Sequence, residues 1–207
     1  MTNLDLETKV ATTEGPLVQT APPGQTPDDK ELVRACQAGD MKAFETLVTR
    51  YQKKVYWIAY NFVGDAEDAT DLAQEAFIRV YRSLNRFDQK YNFYTWLYRI
   101  VVNLAIDHLR KRKKHESVSL DEFPVDPEIE ADPDKPLANA ELREQIEKVL
   151  NALPQKYKTV IVLRDVHELS CEEIAKIIDC TNATTRWRLH KARELFKERW
   201  EKTVGKI

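Results

Sequence analysis

From Asp28 onward the apolar residues of this chain return at intervals of three and four, and only five of its 207 residues are Gly, so little interrupts a helical repeat. That periodicity predicts helices over about 28–38, 41–63, 66–84 and 94–114, broken at Gly39-Asp40, at Gly64-Asp65 and between Arg86 and Asn92. A second set is predicted over about 138–152, 155–168, 171–178 and 182–202. Pro154 ends the first member of that set, and Ser170 with Glu173 spells a capping box that opens the third. No alternating strand pattern competes, so the fold class is all-α.

Between the two sets the composition changes abruptly. Residues 116–137 hold Pro124, Pro127, Pro133 and Pro136 among a run of Asp and Glu, the pattern of an extended acidic linker. Residues 1–27, rich in Thr, Pro and Gln, read as a disordered leader. The predicted organisation is a leader (1–27), a helical domain (28–115), a linker (116–137) and a second helical domain (138–207).

Net charge is silent on partners, because Lys+Arg 32 and Asp+Glu 34 nearly cancel. The N-terminus lacks the basic-then-apolar pattern of a secretory signal, and no stretch approaches the roughly 20 apolar residues of a membrane span. The expectation is a cytoplasmic protein without membrane insertion. Cys36, Cys171 and Cys180 match no zinc spacing and read as small buried hydrophobes, so neither metal nor cofactor is expected. Without a glycine-rich phosphate loop or a nucleophile–base arrangement, the chain is not expected to be an enzyme.

Where the charge sits is more informative. The short helix at 171–178, the turn at 179–181 and the long final helix resemble a helix-turn-helix. On a wheel of about 100° per residue, Leu189, Ala192, Phe196 and Trp200 form one core stripe. Arg186, Arg188, His190, Lys191 and Arg193 supply hydrogen-bond donors for the major groove, and Trp187 faces outward with them. The competing reading is a solvated amphipathic helix with internal pairs such as Lys191 with Glu194.

In the first domain, Trp96, Arg99, Asn103, Asp107, Arg110 and Lys114 line one side of the 94–114 helix, opposite Leu97, Ile100, Val101 and Leu104. The helix ends in the basic run Arg110-Lys111-Arg112-Lys113-Lys114, suited to phosphates, and follows Tyr91, Phe93 and Tyr94, aromatics able to stack on unpaired bases. The 66–84 helix instead sets Asp68, Asp71 and Glu75 opposite an apolar side of Ala69, Leu72, Ala73, Ala76, Phe77 and Val80. That acidic face suits a protein partner, or a solvated surface in which Glu75 pairs with Arg79.

Three segments carry a family resemblance. Asp71-Leu72-Ala73-Gln74-Glu75-Ala76-Phe77 resembles the polymerase-binding helix of sigma factors, and Phe93-Tyr94-Thr95-Trp96-Leu97-Tyr98-Arg99-Ile100 with Asn103 resembles their promoter-melting, minus-ten element. Leu169 to Ala175, continued through Arg186-Trp187-Arg188-Leu189-His190-Lys191-Ala192-Arg193, is similar to their minus-thirty-five reader. The likeness runs over about residues 28–202 and points to the extracytoplasmic-function type.

That resemblance implies two small helical domains, a sigma-2-like and a sigma-4-like one, that bring core RNA polymerase to promoter DNA. Asp68, Asp71, Gln74 and Glu75 would dock on the clamp of the largest polymerase subunit, and the second domain on the flap. Tyr91, Phe93, Tyr94, Trp96, Arg99, Asn103, Arg110, Lys111 and Arg112 would bind the minus-ten element. Thr184, Arg186, Trp187, Arg188, His190, Lys191 and Arg193 would bind the minus-thirty-five element. The resemblance further implies a linker threaded through the polymerase channel and an anti-sigma factor as inhibitor. Two features depart from the usual pattern: the loop from Phe87 to Phe93 has no glycine, and Trp187 stands where a small Ser is common. The alternative reading is a stand-alone helix-turn-helix regulator.

Overall fold

The computed structural model describes residues 28–116 and 140–203. The predicted leader, nearly all of the predicted linker and the last four residues lie outside the described residues. Eight α-helices occur among the described residues, and no strand does: α1 Asp29–Gln37, α2 Met41–Val63, α3 Ala66–Ser83, α4 Phe93–Glu116, α5 Ala140–Asn151, α6 Gln155–Ile161, α7 Cys171–Ile177 and α8 Asn182–Thr203. A 3-10 turn, Leu84–Arg86, follows α3.

Local chemistry sets these boundaries. The Asp40 carboxylate accepts from the Lys42 and Ala43 amides at the start of α2, and Gly64, at φ 75, closes it by donating to the Tyr60 carbonyl. Asp65 caps α3 through the Asp68 amide. Ser170 and Glu173 form the reciprocal capping box on α7. Thr181 caps α8, its Oγ1 accepting from the Thr184 amide at 3.1 Å.

Apolar faces then decide the packing. In the first unit α2 packs against α1, α3 and α4, and α3 packs against α4, burying Leu47, Val55, Ile58, Phe62, Val80, Leu97, Val101 and Val102. Each such side chain contributes about 1.5–3 kcal/mol by leaving water. In the second unit α8 packs on α5, α6 and α7 over Val160, Leu163, Ile174, Ile177 and Ala192.

Periodicity extended α6 to residue 168; the structure differs there. The α-helix ends at Ile161 and widens into a π-helical turn, Val162–Val166. The His167 amide consequently reaches the Val162 carbonyl at 3.1 Å, and Glu168 turns the chain at φ 58. The wider turn aims Asp165 at α8 and His167 at α2. The cysteines depart too: Cys36, Cys171 and Cys180 are free thiols that are only partly buried.

The two units are not separate beads. α7 packs on α4, and one apolar core runs through both units. Lys158, 4% exposed, donates from Nζ to the Phe62 carbonyl at 2.8 Å and to Asn151 Oδ1 at 2.6 Å. Phe62 lies in the last turn of α2, where carbonyls lack helical partners, so an ammonium group there meets both an open acceptor and the negative end of the helix dipole.

Beside it, His167 Nε2 lies 3.3 Å from Asn61 Nδ2, the arrangement of a neutral imidazole accepting an amide proton. Burial, with nearby Lys54 adding to it, pushes this imidazole down to about 4. Its folded-state value therefore lies below the unfolded one. The stability it supplies is complete above pH 6.5 and is lost as pH falls toward 4. Between pH 7.5 and pH 5 the wild type is expected to lose about 1–2 kcal/mol more than His167→Gln in urea titrations, and equal losses would remove His167 as the cause.

Candidate polymerase and nucleic-acid interfaces

Three surfaces carry the residues singled out from the sequence. On α3, Ala69, Leu72, Ala76 and Val80 are buried against the core, which turns Asp71 and Gln74 outward into solvent. Glu75 accepts from Arg79 Nε at 2.7 Å across one helical turn, an exposed pair contributing at most about 1 kcal/mol and easily exchanged for another partner. Asp68 is engaged differently: its Oδ2 lies 3.1 Å from His108 Nε2 and braces α3 against α4. The acidic face is therefore Asp71, Gln74 and Glu75, with Asp68 at its buttressed edge.

The second surface is the loop before α4 and the first turns of that helix. Phe93 is buried at 4% exposure, with Tyr51 on one side and Phe87 and Trp96 on the other. It supports the loop from beneath and, in this arrangement, offers DNA no surface. The reason is register: Phe93 falls on the same side of α4 as Leu97 and Val101. Trp96 is half-buried, its ring 4.7 Å from that of Phe87, whereas Tyr91 is 65% exposed.

Together Phe87, Tyr91, Thr95, Trp96, Arg86 and Arg99 line a cleft of about 760 Å³, a size fit for a nucleotide base and its sugar. Beyond the cleft Asn103 and Arg110 are exposed along the outer stripe, with Arg110 loosely paired to Asp107 at 3.7 Å. Lys111 and Arg112 follow on the exposed end of α4.

What holds this loop without a glycine is a set of amides from distant parts of the chain. Gln37 Nε2 donates to the Leu84 and Phe87 carbonyls at 2.9 and 3.0 Å. Gln89 Nε2 donates to Gln37 Oε1 at 2.7 Å, while Gln89 Oε1 accepts from Arg34 Nε at 2.8 Å. An Asx turn at Asp88 completes the loop through the Lys90 amide at 3.0 Å. Sequence reasoning missed Arg34 and Gln37. The available signal was weak: two polar residues three apart on one face of α1.

The third surface is the outer face of α8. Thr185, Leu189 and Ala192 are buried, Phe196 and Trp200 stack half-buried at 5.9 Å, and Arg186 and His190 project outward. Trp187 is 60% exposed and backed by the Tyr157 ring at 6.3 Å. Arg188 and Thr184 are half-buried, Thr184 sharing a hydroxyl contact with Thr181 at 2.8 Å.

Two cations are engaged within the chain. Lys191 donates to Glu194 at 3.0 Å, a hydrogen bond that raises the lysine and lowers the carboxylate. Arg193 presents a fork to Asp165, with Nε at 3.0 Å and Nη2 at 2.5 Å. The fork points Arg193 at the π-helical turn, and His190 Nδ1 lies 3.8 Å from Glu194 Oε1, so Arg186 and Trp187 form the open part of the face.

Comparison with known proteins assigns both helical units to one family. Residues 47–115 match the Sigma-70 region 2 family and residues 143–196 match Sigma-70, region 4. The chain is 37% identical over 177 residues to the ECF RNA polymerase sigma factor SigW of Bacillus subtilis, covering 82% of this chain and 95% of that protein. It is 38% identical over 175 residues to the RNA polymerase sigma-H factor of Pseudomonas aeruginosa, covering 80% and 90%. Among solved structures, that of CnrH in complex with the cytosolic domain of CnrY superposes with a TM-score of 0.67 at 23% identity, over 85% of this chain and 99% of that one. At that identity the likeness speaks for the fold.

The amide clamp yields a direct expectation. Gln37→Ala removes two hydrogen bonds to carbonyls of the 84–87 segment and one to Gln89. Amide hydrogen exchange over residues 84–92 should accelerate at least several-fold, while the global unfolding free energy falls by only about 1 kcal/mol. Unchanged exchange there would show that the aromatic cluster alone holds the loop.

Proposed function

The chain belongs to the extracytoplasmic-function sigma factors of RNA polymerase, which direct promoter-specific transcription initiation, and on that footing we propose how its residues divide the work. The carrying observation is that one chain presents an outward acidic helix face, an aromatic-lined cationic cleft and a cationic recognition helix in the order in which sigma regions 2 and 4 match it. A stand-alone regulator has no use for the first two.

Asp71, Gln74 and Glu75, with Asp68 at the edge, dock on the polymerase clamp. Glu75 exchanges its Arg79 partner for one on the polymerase at little cost, since both members of that pair are solvated. The second unit holds the flap. Tyr91 and Trp96 take up an unstacked base of the minus-ten strand, while Arg99, Asn103, Arg110, Lys111 and Arg112 hold the adjoining strand and its phosphates. Tyr94 belongs to the same edge, and Phe93 fixes the floor. On α8, Arg186, Arg188 and His190 donate to bases and phosphates of the minus-thirty-five duplex, with Thr184, Lys191 and Arg193 at the margins. Trp187 adds apolar contact area.

Initiation on a promoter is binding work, so the protein acts without catalysis of its own and in the cytoplasm, on the nucleoid when bound to polymerase. No helix among the described residues is long and apolar enough to cross a membrane. An anti-sigma factor is the expected inhibitor; CnrH was solved in complex with the cytosolic domain of CnrY.

Transcription reconstituted with purified core polymerase separates the roles. Glu75→Lys should weaken core affinity at least about tenfold with an unchanged melting curve, because its side chain faces away from the buried stripe. Unaltered core affinity would remove Glu75 from the interface. Arg186→Ala should lower use of the upstream promoter element by about 1–3 kcal/mol, and Asn103→Ala should affect the downstream one alone. An upstream defect from Asn103→Ala would overturn the assignment.

A further inference from the structure

One side chain on the outward face of α8 is apolar where its neighbours are cations. Trp187 lies in the second turn of the helix, roughly opposite buried Leu189 and Ala192, so its indole points away from the core of its own unit. A single exposed aromatic would by itself mean little. This one is supported. The Tyr157 ring of α6 backs it at 6.3 Å, tilted by 55°, and exposed Lys156 sets its Nζ 4.9 Å from the centre of that ring. Tyr157 is itself buried, so the indole stands on a fixed base.

The surroundings of Trp187 select its occupant. Residues 182–190 carry Arg186, Arg188 and His190 and no acidic residue; the first carboxylate on the helix is Glu194, two helical turns beyond Trp187. Lys156 adds a further cation beside it from α6. An apolar ring in a cationic frame suits a polyanion with an apolar spot on it, and the major groove offers one. Of the base edges presented there, thymine alone carries an apolar group, its C5-methyl. The N-terminal part of this helix is also the part that a helix-turn-helix lowers into the groove. Ala183, one turn earlier on the same side, is exposed and small, which leaves the indole open to such a group.

We infer that Trp187 reads the C5-methyl of thymine in the upstream promoter element and so fixes a preference for thymine at one step of it. The inference rests on the assignment of α8 to that element. Arg186 and Arg188 supply hydrogen bonds and phosphate contacts that hold the duplex, and Lys156 adds a phosphate contact from the neighbouring helix. Trp187 supplies the apolar part of the discrimination. Its indole N–H can also donate to thymine O4, but uracil keeps O4 and lacks only the methyl, so the two contacts can be told apart.

The test uses the full chain with core polymerase. Duplexes with a randomised upstream block, ahead of a downstream block taken from a mapped start, are selected by polymerase binding with the wild type and with Trp187→Ser. The wild type should return thymine at one fixed position, where Trp187→Ser returns no preference. The selected duplex is then made again with deoxyuridine at that position. Loss of the methyl should weaken wild-type binding about fourfold, the effect of one buried methyl group, and leave binding by Trp187→Ser unchanged.

Trp187→Ser is expected to fold as the wild type does, because the side chain is exposed. Should it unfold, the deoxyuridine duplex with the wild type alone decides. A wild type indifferent to deoxyuridine overturns the inference, as does a Trp187→Ser variant that loses as much as the wild type. Weaker core affinity of Trp187→Ser in the absence of DNA, with the thymine preference intact, would also overturn it and place the indole on the polymerase. If the wild type with core selects no duplex at all, the sigma-factor reading falls, and this inference with it.

Discussion

The burial of α4 against α2 and α3 is the constraint on which the other features depend. Leu97, Val101, Val102 and Ala105 are fully buried there, and the three larger ones contribute about 1.5–3 kcal/mol each. The exposed ion pairs on the same helices are worth at most about 1 kcal/mol apiece. Apolar burial therefore fixes the rotation of α4, and that rotation decides that Trp96, Arg99, Asn103 and Arg110 face away from the core. It also presents the ledge on which α7 rests.

Each candidate surface is the reverse side of a packing decision. The acidic face of α3 is open because Ala69, Leu72, Ala76 and Val80 face inward. The outer face of α8 is open because Thr185, Leu189 and Ala192 do the same. The cleft before α4 rests on the aromatic packing of Phe87, Phe93 and Trp96 and adds polar contacts from Arg34, Gln37 and Gln89, where neither glycine nor regular helix shapes the backbone.

Helix positions and the outward stripes were legible because periodicity and caps are local properties of the sequence: Gly64, Asp65 and the Ser170–Glu173 box stand where the helices end and begin. The π-helical turn at Val162–Val166 was not, since it answers to partners on α2 and α8. Arg193 read as a free donor because Asp165, its acceptor, is 28 positions away. Phe93 read as a DNA contact because its aromatic neighbours outweighed its register with Leu97. Buried Lys158 left one trace, its place on the same helical face as Ile161 and Val162. Contact between the two units could not be read from either set of helices, because the seam joins residues such as Tyr94 and Glu173 that are 79 positions apart.

The central claim, that this chain delivers polymerase to promoters through two separated readers, is tested most directly by mapping transcription starts. Purified core polymerase is supplied with the protein on total DNA from its own source. The account predicts new starts sharing two short sequence blocks at constant spacing, centred near minus ten and minus thirty-five. Starts sharing a single block, or none above core alone while the protein binds duplex DNA by itself, would contradict it.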